Sequence, residues 1–287
     1  MERFQSQKSL ADFIDNQRLA GKSIGFSPTM GALHEGHLSL LARSRQDCDI
    51  SVASIFVNPT QFDRAEDLEK YPRTVGEDCA MLEEAGCDAV FLPSVEEMYP
   101  GGAEVTDSYD FGGLEERMEG AHRPGHFAGV AQVVKLLLEA VNPDKLFMGQ
   151  KDYQQFLICR KLVELESMKV EVIACPIVRE ESGLAMSSRN RRLSADGLEK
   201  AVALSKSLFR AKEAAVLLGP NELALASMAW LDKAPDLKPE YFEVVHPYSL
   251  QPIDDWIEAE PGQPRGVCCA AAWVEGIRLI DNVLILA

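Results

Sequence analysis

Positive charge is what this chain has least of. Its 287 residues carry 29 Lys and Arg against 45 Asp and Glu, a formal net charge of −16. A nucleic-acid backbone demands a basic surface, so that balance argues against nucleic acid as a partner. Long apolar runs are missing as well. No stretch reaches the roughly 20 residues of a membrane span, and Met1-Glu2-Arg3-Phe4-Gln5 lacks the apolar core of a signal peptide. No membrane association is expected. The seven cysteines are odd in number and scattered, without a Cys-x-x-Cys pair. They read as reduced core thiols of a cytoplasmic protein, not as a disulfide framework. Also absent are the Gly-rich P-loop, the G-x-G-x-x-G dinucleotide turn and the G-x-S-x-G nucleophile elbow. No covalent nucleophile stands out.

What is present is an ordinary globular composition, 46% hydrophobic and 26% charged. Apolar, strand-like runs recur at residues 24–26, 50–57, 89–92, 146–148 and 170–174, with helical patterns between them at 38–48, 75–85, 127–141 and 153–166. Within 127–141, Val130, Val133, Val134, Leu137 and Leu138 form one apolar face at helical spacing. Strand–helix alternation predicts an α/β fold, a Rossmann-like doubly wound parallel sheet. After about residue 180 the pattern changes to two helices followed by short strands, which predicts a smaller α+β domain. The expected domains are residues 1–175 and 176–287, the second acting as a lid.

Residues 28–37, Pro-Thr-Met-Gly-Ala-Leu-His-Glu-Gly-His, are the most informative in the chain. They place His34 and His37 where a strand turns into a helix. Unpaired backbone N–H groups and the positive end of the helix dipole suit a phosphate there. Two imidazoles can donate to phosphate oxygens as charge builds during adenylyl transfer. Two other readings stand beside this one: a zinc site, which needs further ligands, and a pair of histidines that merely cap the turn.

Three further segments carry chemistry. In Asn58-Pro59-Thr60-Gln61-Phe62, Gln61 can hold a hydroxyl or carboxylate without adding charge. Its partner is Gln155, in a segment that also offers Gly149 for close approach, Lys151 as a cation at a helix start, and Asp152 as cap or ligand contact. Residues 183–190 combine Met186, Ser187, Ser188 and Arg189, a hydroxyl-rich grip for a triphosphate. Arg123-Pro124-Gly125-His126 precedes the long helix as a possible anion site or as scaffold.

Together these segments, with Tyr71-Pro72-Arg73-Thr74, Val178-Arg179-Glu180 and Arg278-Leu279-Ile280-Asp281-Asn282, resemble the pantothenate synthetase family. These are pantoate–β-alanine ligases of the HxGH nucleotidyltransferase-like superfamily. The resemblance implies a two-step enzyme of pantothenate biosynthesis. Pantoate and ATP give pantoyl adenylate and pyrophosphate; β-alanine then gives pantothenate and AMP. It also implies site residues. His37, the family's proton donor, would act with His34 and Lys151. ATP would be bound by Met30, Gly36, His37, Gly149, Lys151, Asp152, Val178, Met186, Ser187, Ser188 and Arg189. Gln61 and Gln155 would hold pantoate, and Gln61 also β-alanine. Mg2+ comes with ATP, and Asp78 is the residue expected to approach it; no protein ligand set for the metal is assigned. A cytoplasmic homodimer is implied too. His246 and Ile277 depart from the family pattern, where an acid and a threonine are usual. The alternatives are a plain nucleotidylyltransferase, which should need more cations for a phosphorylated second substrate, and a non-catalytic nucleotide-binding protein.

Overall fold

A computed structural model describes residues 1–62, 65–105 and 108–287 of the chain, in two units. The first comprises Met1–Gly149 and Gln154–Pro176, the second Gln150–Tyr153 and Ile177–Ala287. In the first, short runs become strands, the four central ones largely buried and the two at the sheet edges, Glu2–Phe4 and Glu171–Cys175, partly exposed. They are β1 (Glu2–Phe4), β2 (Ile24–Thr29), β3 (Ile50–Ile55), β4 (Ala89–Phe91), β5 (Lys145–Gly149) and β6 (Glu171–Cys175). All their pairings are parallel, in the order β1-β4-β3-β2-β5-β6. With its flanking helices this is the expected Rossmann-like sheet. Phe26, Phe91 and Phe147 are fully buried in it.

That strand order positions the chemistry. From β2 the chain runs through β3 to β4 on one side, and β5 to β6 lie on the other. The switch point is therefore between β2 and β5, and ligands of such sheets bind beyond the carboxyl ends at the switch. The segments after β2 and β3 and the end of β5 at Gly149 share that edge.

Among the first-unit elements that escape the sequence reading are the three-residue edge strand β1 and the helix Gln7–Leu19, of which only Leu10 and Ile14 are buried. The helix His126–Val141 differs as well. Its buried residues include His126, Phe127, Ala131, Gln132 and Val141 besides the predicted face. It is wrapped nearly all round, so its apolar stripe understates its burial.

The second unit is a three-stranded antiparallel sheet of β7 (Leu237–Val245), β8 (Pro264–Val274) and β9 (Ile277–Leu286), with helices Ala195–Ala214 and Pro220–Leu231. Leu204, Leu208, Leu223 and Leu231 pack on Phe242, Cys268, Ala270 and Leu279 in one core. Cys268 belongs to that core and its neighbour Cys269 does not, as alternation along a strand requires. Both departures from the family pattern find reasons here. Ile277 joins the apolar core. His246 Nδ1 accepts the backbone N–H groups of Tyr248 and Ser249, each at 3.2 Å, the acceptor role an acid would fill. All seven cysteines are free thiols.

Candidate active site

The loop after β2 is shaped by its backbone. Gly31 (φ +79°) and Ala32 (φ +50°) both take left-handed conformations, which turn the chain sharply before the helix Glu35–Asp47. The carboxylate of Asp78, 1% exposed, holds that turn in place. Its Oδ2 accepts from the Ala32 N–H at 3.0 Å and its Oδ1 from the Leu33 N–H at 2.8 Å. Thr74 Oγ1 donates to Oδ2 at 3.1 Å. A Cβ on Gly31 would lie 2.9 Å from Oδ2, so the position has no room for a side chain. Buried and filled with protein donors, Asp78 braces the histidine loop.

His34 is the N-cap of the helix, and its Nδ1 accepts from the Gly36 N–H at 3.1 Å. His37 Nδ1 accepts from the His34 N–H at 3.3 Å, closing a capping box. A nitrogen that accepts carries no proton, so in each neutral ring the proton sits on Nε2. The rings lie 4.1 Å apart, tilted by 44°. The capping reading and the phosphate reading are thus compatible: each Nδ1 is used within the loop, and both rings stand at the positive end of the helix. The zinc reading gains nothing. A protonated Nε2 is no metal ligand, and among the described residues no group of three or more His, Cys, Asp or Glu could hold a metal ion.

Gln61 ends the short 3-10 turn Pro59–Gln61 that follows β3. Its Nε2 donates to the Met30 thioether at 2.8 Å, which joins the β3 loop to the β2 loop. Asn58, 1% exposed, organises the turn. Its Nδ2 donates to Gln61 Oε1 and to the Gly129 carbonyl, both at 3.2 Å, while its Oδ1 accepts from Tyr99 Oη at 2.8 Å. The Gln61 carbonyl is held separately. It accepts from His126 Nδ1 at 3.0 Å and from Arg123 Nη2 at 3.2 Å. Because a carbonyl only accepts, His126 carries its proton on Nδ1, and its Nε2 accepts from Arg123 Nη1 at 3.0 Å. Arg123 and His126 together hold the Gln61 carbonyl. Gln155 is partly exposed at the start of the helix Tyr153–Leu165 and enters none of these networks among the described residues.

Lys151 belongs to the second unit, on the 3-10 turn Gln150–Asp152. Its ammonium lies 3.8 Å from the Asp152 carboxylate, a contact too exposed on the aspartate side to hold it firmly. Val178 and Met186 are cross-strand partners in a small hairpin. The Met186 N–H donates to the Val178 carbonyl at 3.0 Å, Arg179 bridges to Ala185, and Gly183 makes the turn. Ser187 then caps the 3-10 turn Ser188–Arg192, its Oγ accepting from the Arg189 N–H at 3.3 Å. That turn presents Arg191 and Arg192 beside Arg189, two cations the sequence reading passed over. Arg73, one of the motif residues, donates to the carbonyls of Leu68, Glu69 and Tyr71, a structural task.

Comparison with known proteins agrees throughout the chain. The family model described as pantoate–β-alanine ligase matches residues 2–284. A pantothenate synthetase of Porphyromonas gingivalis is 48% identical over 287 residues, covering 99% of each chain. That of Bacteroides thetaiotaomicron is 44% identical over 283 residues, 99% of this chain and 98% of the relative. Among solved structures, the pantothenate synthetase of Thermus thermophilus superposes with a TM-score of 0.90 at 40% identity over the whole of both chains. The pantoate–β-alanine ligase of Francisella tularensis, solved with β,γ ATP and β-alanine, gives 0.79 at 31% identity, covering 99% of this chain and 97% of its own.

Proposed function

The chain belongs to the pantoate–β-alanine ligase family, a family of enzymes, and from that premise we propose that it condenses (R)-pantoate with β-alanine through a bound pantoyl adenylate. In the first step a pantoate carboxylate oxygen attacks the α-phosphorus of ATP, and the bond to the β-phosphate oxygen breaks to release pyrophosphate. In the second, the amine of β-alanine attacks the acyl carbon. AMP leaves, the ammonium proton is lost, and pantothenate remains.

The observation that carries this reading is the capping geometry of His34 and His37. Each ring is fixed by a backbone donor at Nδ1, so the orientation of both imidazoles is set by the loop itself. Imidazoles so oriented stabilise charge where it develops on the transferring phosphoryl group. Lys151 would neutralise the α-phosphate and the leaving pyrophosphate. Met30, Gly36, Gly149, Asp152, Val178, Met186, Ser187, Ser188 and Arg189 would bind the nucleotide. Gln61 and Gln155 would hold pantoate by uncharged hydrogen bonds, and Gln61 also β-alanine. An acyl adenylate must be kept from water, which gives a second unit acting as a lid its purpose. ATP and β-alanine in the Francisella relative support the substrate assignment. Mg2+ would enter on the nucleotide phosphates, where it supplies positive charge.

Seven free thiols suit a reducing compartment, so a cytoplasmic setting belongs to the same proposal. A homodimer does too, with sedimentation as its check. The adenylate itself is tested by oxygen transfer. Pantoate labelled with 18O in its carboxylate should yield AMP carrying one 18O, and unlabelled AMP would rule the adenylate out.

A further inference from the structure

The run from Arg278 to Asn282 is part of the resemblance, yet no step above uses it. In β9, Asp281 and Asn282 are 3% and 2% exposed, polar residues buried in succession. Neighbours on a strand face opposite ways, so the two side chains reach different segments. Asn282 Nδ2 donates to two consecutive carbonyls, those of Gln150 and Lys151, each at 2.9 Å. Its Oδ1 accepts from Gln150 Nε2 at 3.2 Å. Both amide hydrogens and the amide oxygen of Asn282 are thus spent on the turn that carries Lys151.

Asp281 serves the other segment. Its carboxylate takes a two-pronged bond from Arg179, at 2.7 and 2.9 Å. Arg179 also donates to the Gly183 carbonyl at 3.1 Å and stacks 4.8 Å from the Phe209 ring. That fixes both ends of the hairpin in which Val178 and Met186 pair. The Asn282 N–H donates to Asp281 Oδ1 at 2.8 Å, so the two anchors share one atom. Burial pushes the Asp281 carboxyl up from its ordinary value, opposed by the Arg179 guanidinium and the Asn282 N–H. A residue placed at that disadvantage needs the partners it has.

We propose that Asp281 and Asn282 are the positioning pair of the nucleotide site. Asn282 sets the backbone from which Lys151 projects; Asp281, through Arg179, sets the hairpin bearing Val178 and Met186. The proposal rests on the reading of Lys151 given above. It explains why the pair is Asp followed by Asn. Only a carboxamide can donate to two carbonyls while accepting from Gln150, and only a carboxylate takes both prongs of a guanidinium.

The test is a double-mutant cycle on the whole enzyme. Asn282→Asp keeps the volume and sets a carboxylate against two carbonyls. With ATP varied, it should lower kcat/KM by about 10², the scale for losing about 1 Å of placement, and leave the pantoate KM near wild type. Lys151→Ala should fall at least as far. Slow variants are read with enzyme in excess over labelled ATP. In the Lys151→Ala background Asn282→Asp should cost less than about twofold more, because the group it acts through is gone. Gln150→Ala removes one bond at a partly exposed residue and covers the case in which Asn282→Asp does not fold. It should show the same pattern at about fivefold, one ordinary hydrogen bond's worth. Wild-type kinetics in Asn282→Asp or Gln150→Ala overturn the proposal, as does a loss that multiplies in full on Lys151→Ala. Wild-type behaviour of Lys151→Ala alone instead overturns the role of Lys151.

Discussion

Gly129→Ala tests whether the placement of Gln61 matters. Gly129 lies within the helix His126–Val141, where alanine is intrinsically better by about 1 kcal/mol. On local propensity the substitution stabilises. The structure argues the reverse for function. A Cβ there would stand 2.3 Å from the Thr60 carbonyl oxygen, 2.7 Å from its carbon and 3.1 Å from the Gln61 nitrogen. These are backbone atoms, so no side chain can swing aside. The turn Pro59–Gln61 would have to retreat by roughly 1 Å, a displacement that costs about 10² in rate when it moves a substrate-positioning group. Crowding of this kind costs about 1–3 kcal/mol, which the helix gain partly offsets, so the melting temperature should fall by only a few degrees. The assay is continuous pyrophosphate release with pantoate varied and ATP and β-alanine saturating, beside thermal melts by circular dichroism. We expect kcat/KM for pantoate to drop about 10² in a folded protein, with the ATP KM within about twofold. Wild-type pantoate kinetics would refute the argument.

Other perturbations reach different parts of the site. Asp78→Asn turns one acceptor into a donor facing the backbone N–H of Ala32 or Leu33. Leaving that buried donor unpaired costs about 1–3 kcal/mol, and kcat/KM for ATP should fall about 10² as the histidine loop shifts; an unchanged value would deny Asp78 its bracing role. His37→Ala should keep the fold and lose about 10²–10³ in adenylation, the scale for one charge-stabilising donor; near-normal turnover would sink the assigned role. Burial pushes the Cys87, Cys159 and Cys268 thiols up to about 12 and Cys175 to about 11. A raised thiol stays protonated at pH 8, with a thiolate fraction of about 10⁻³ or less. Iodoacetamide should therefore spare all four in the native enzyme and label them once it is unfolded, read by peptide mass spectrometry. Rapid native labelling would contradict their packing.

What the sequence made legible was local. Pro, Gly and His crowded into residues 28–37 announce a strand–turn–helix with two imidazoles, because turn chemistry and capping are decided by neighbours in the chain. The alternation of apolar runs announces the parallel sheet for the same reason. The supports of the site were hidden because each joins distant residues. Asp78 meets Leu33 across 45 positions, His126 meets Gln61 across 65, and Asn282 meets Lys151 across 131. Nothing in the sequence around Asp78 marks Ala32 and Leu33 as its partners. The strand β1 was invisible for a related reason: three residues acquire strand geometry only by pairing with β4, some 87 positions on.

The central claim is a reaction in two stages, and product accounting tests it most directly. Enzyme, ATP, Mg2+ and pantoate without β-alanine should release pyrophosphate to about one equivalent per site and then slow, as the adenylate is held. Adding β-alanine should restart turnover, with AMP and pantothenate appearing in equal amounts. Pyrophosphate release that does not depend on pantoate, or AMP formed without pantothenate, would contradict the account.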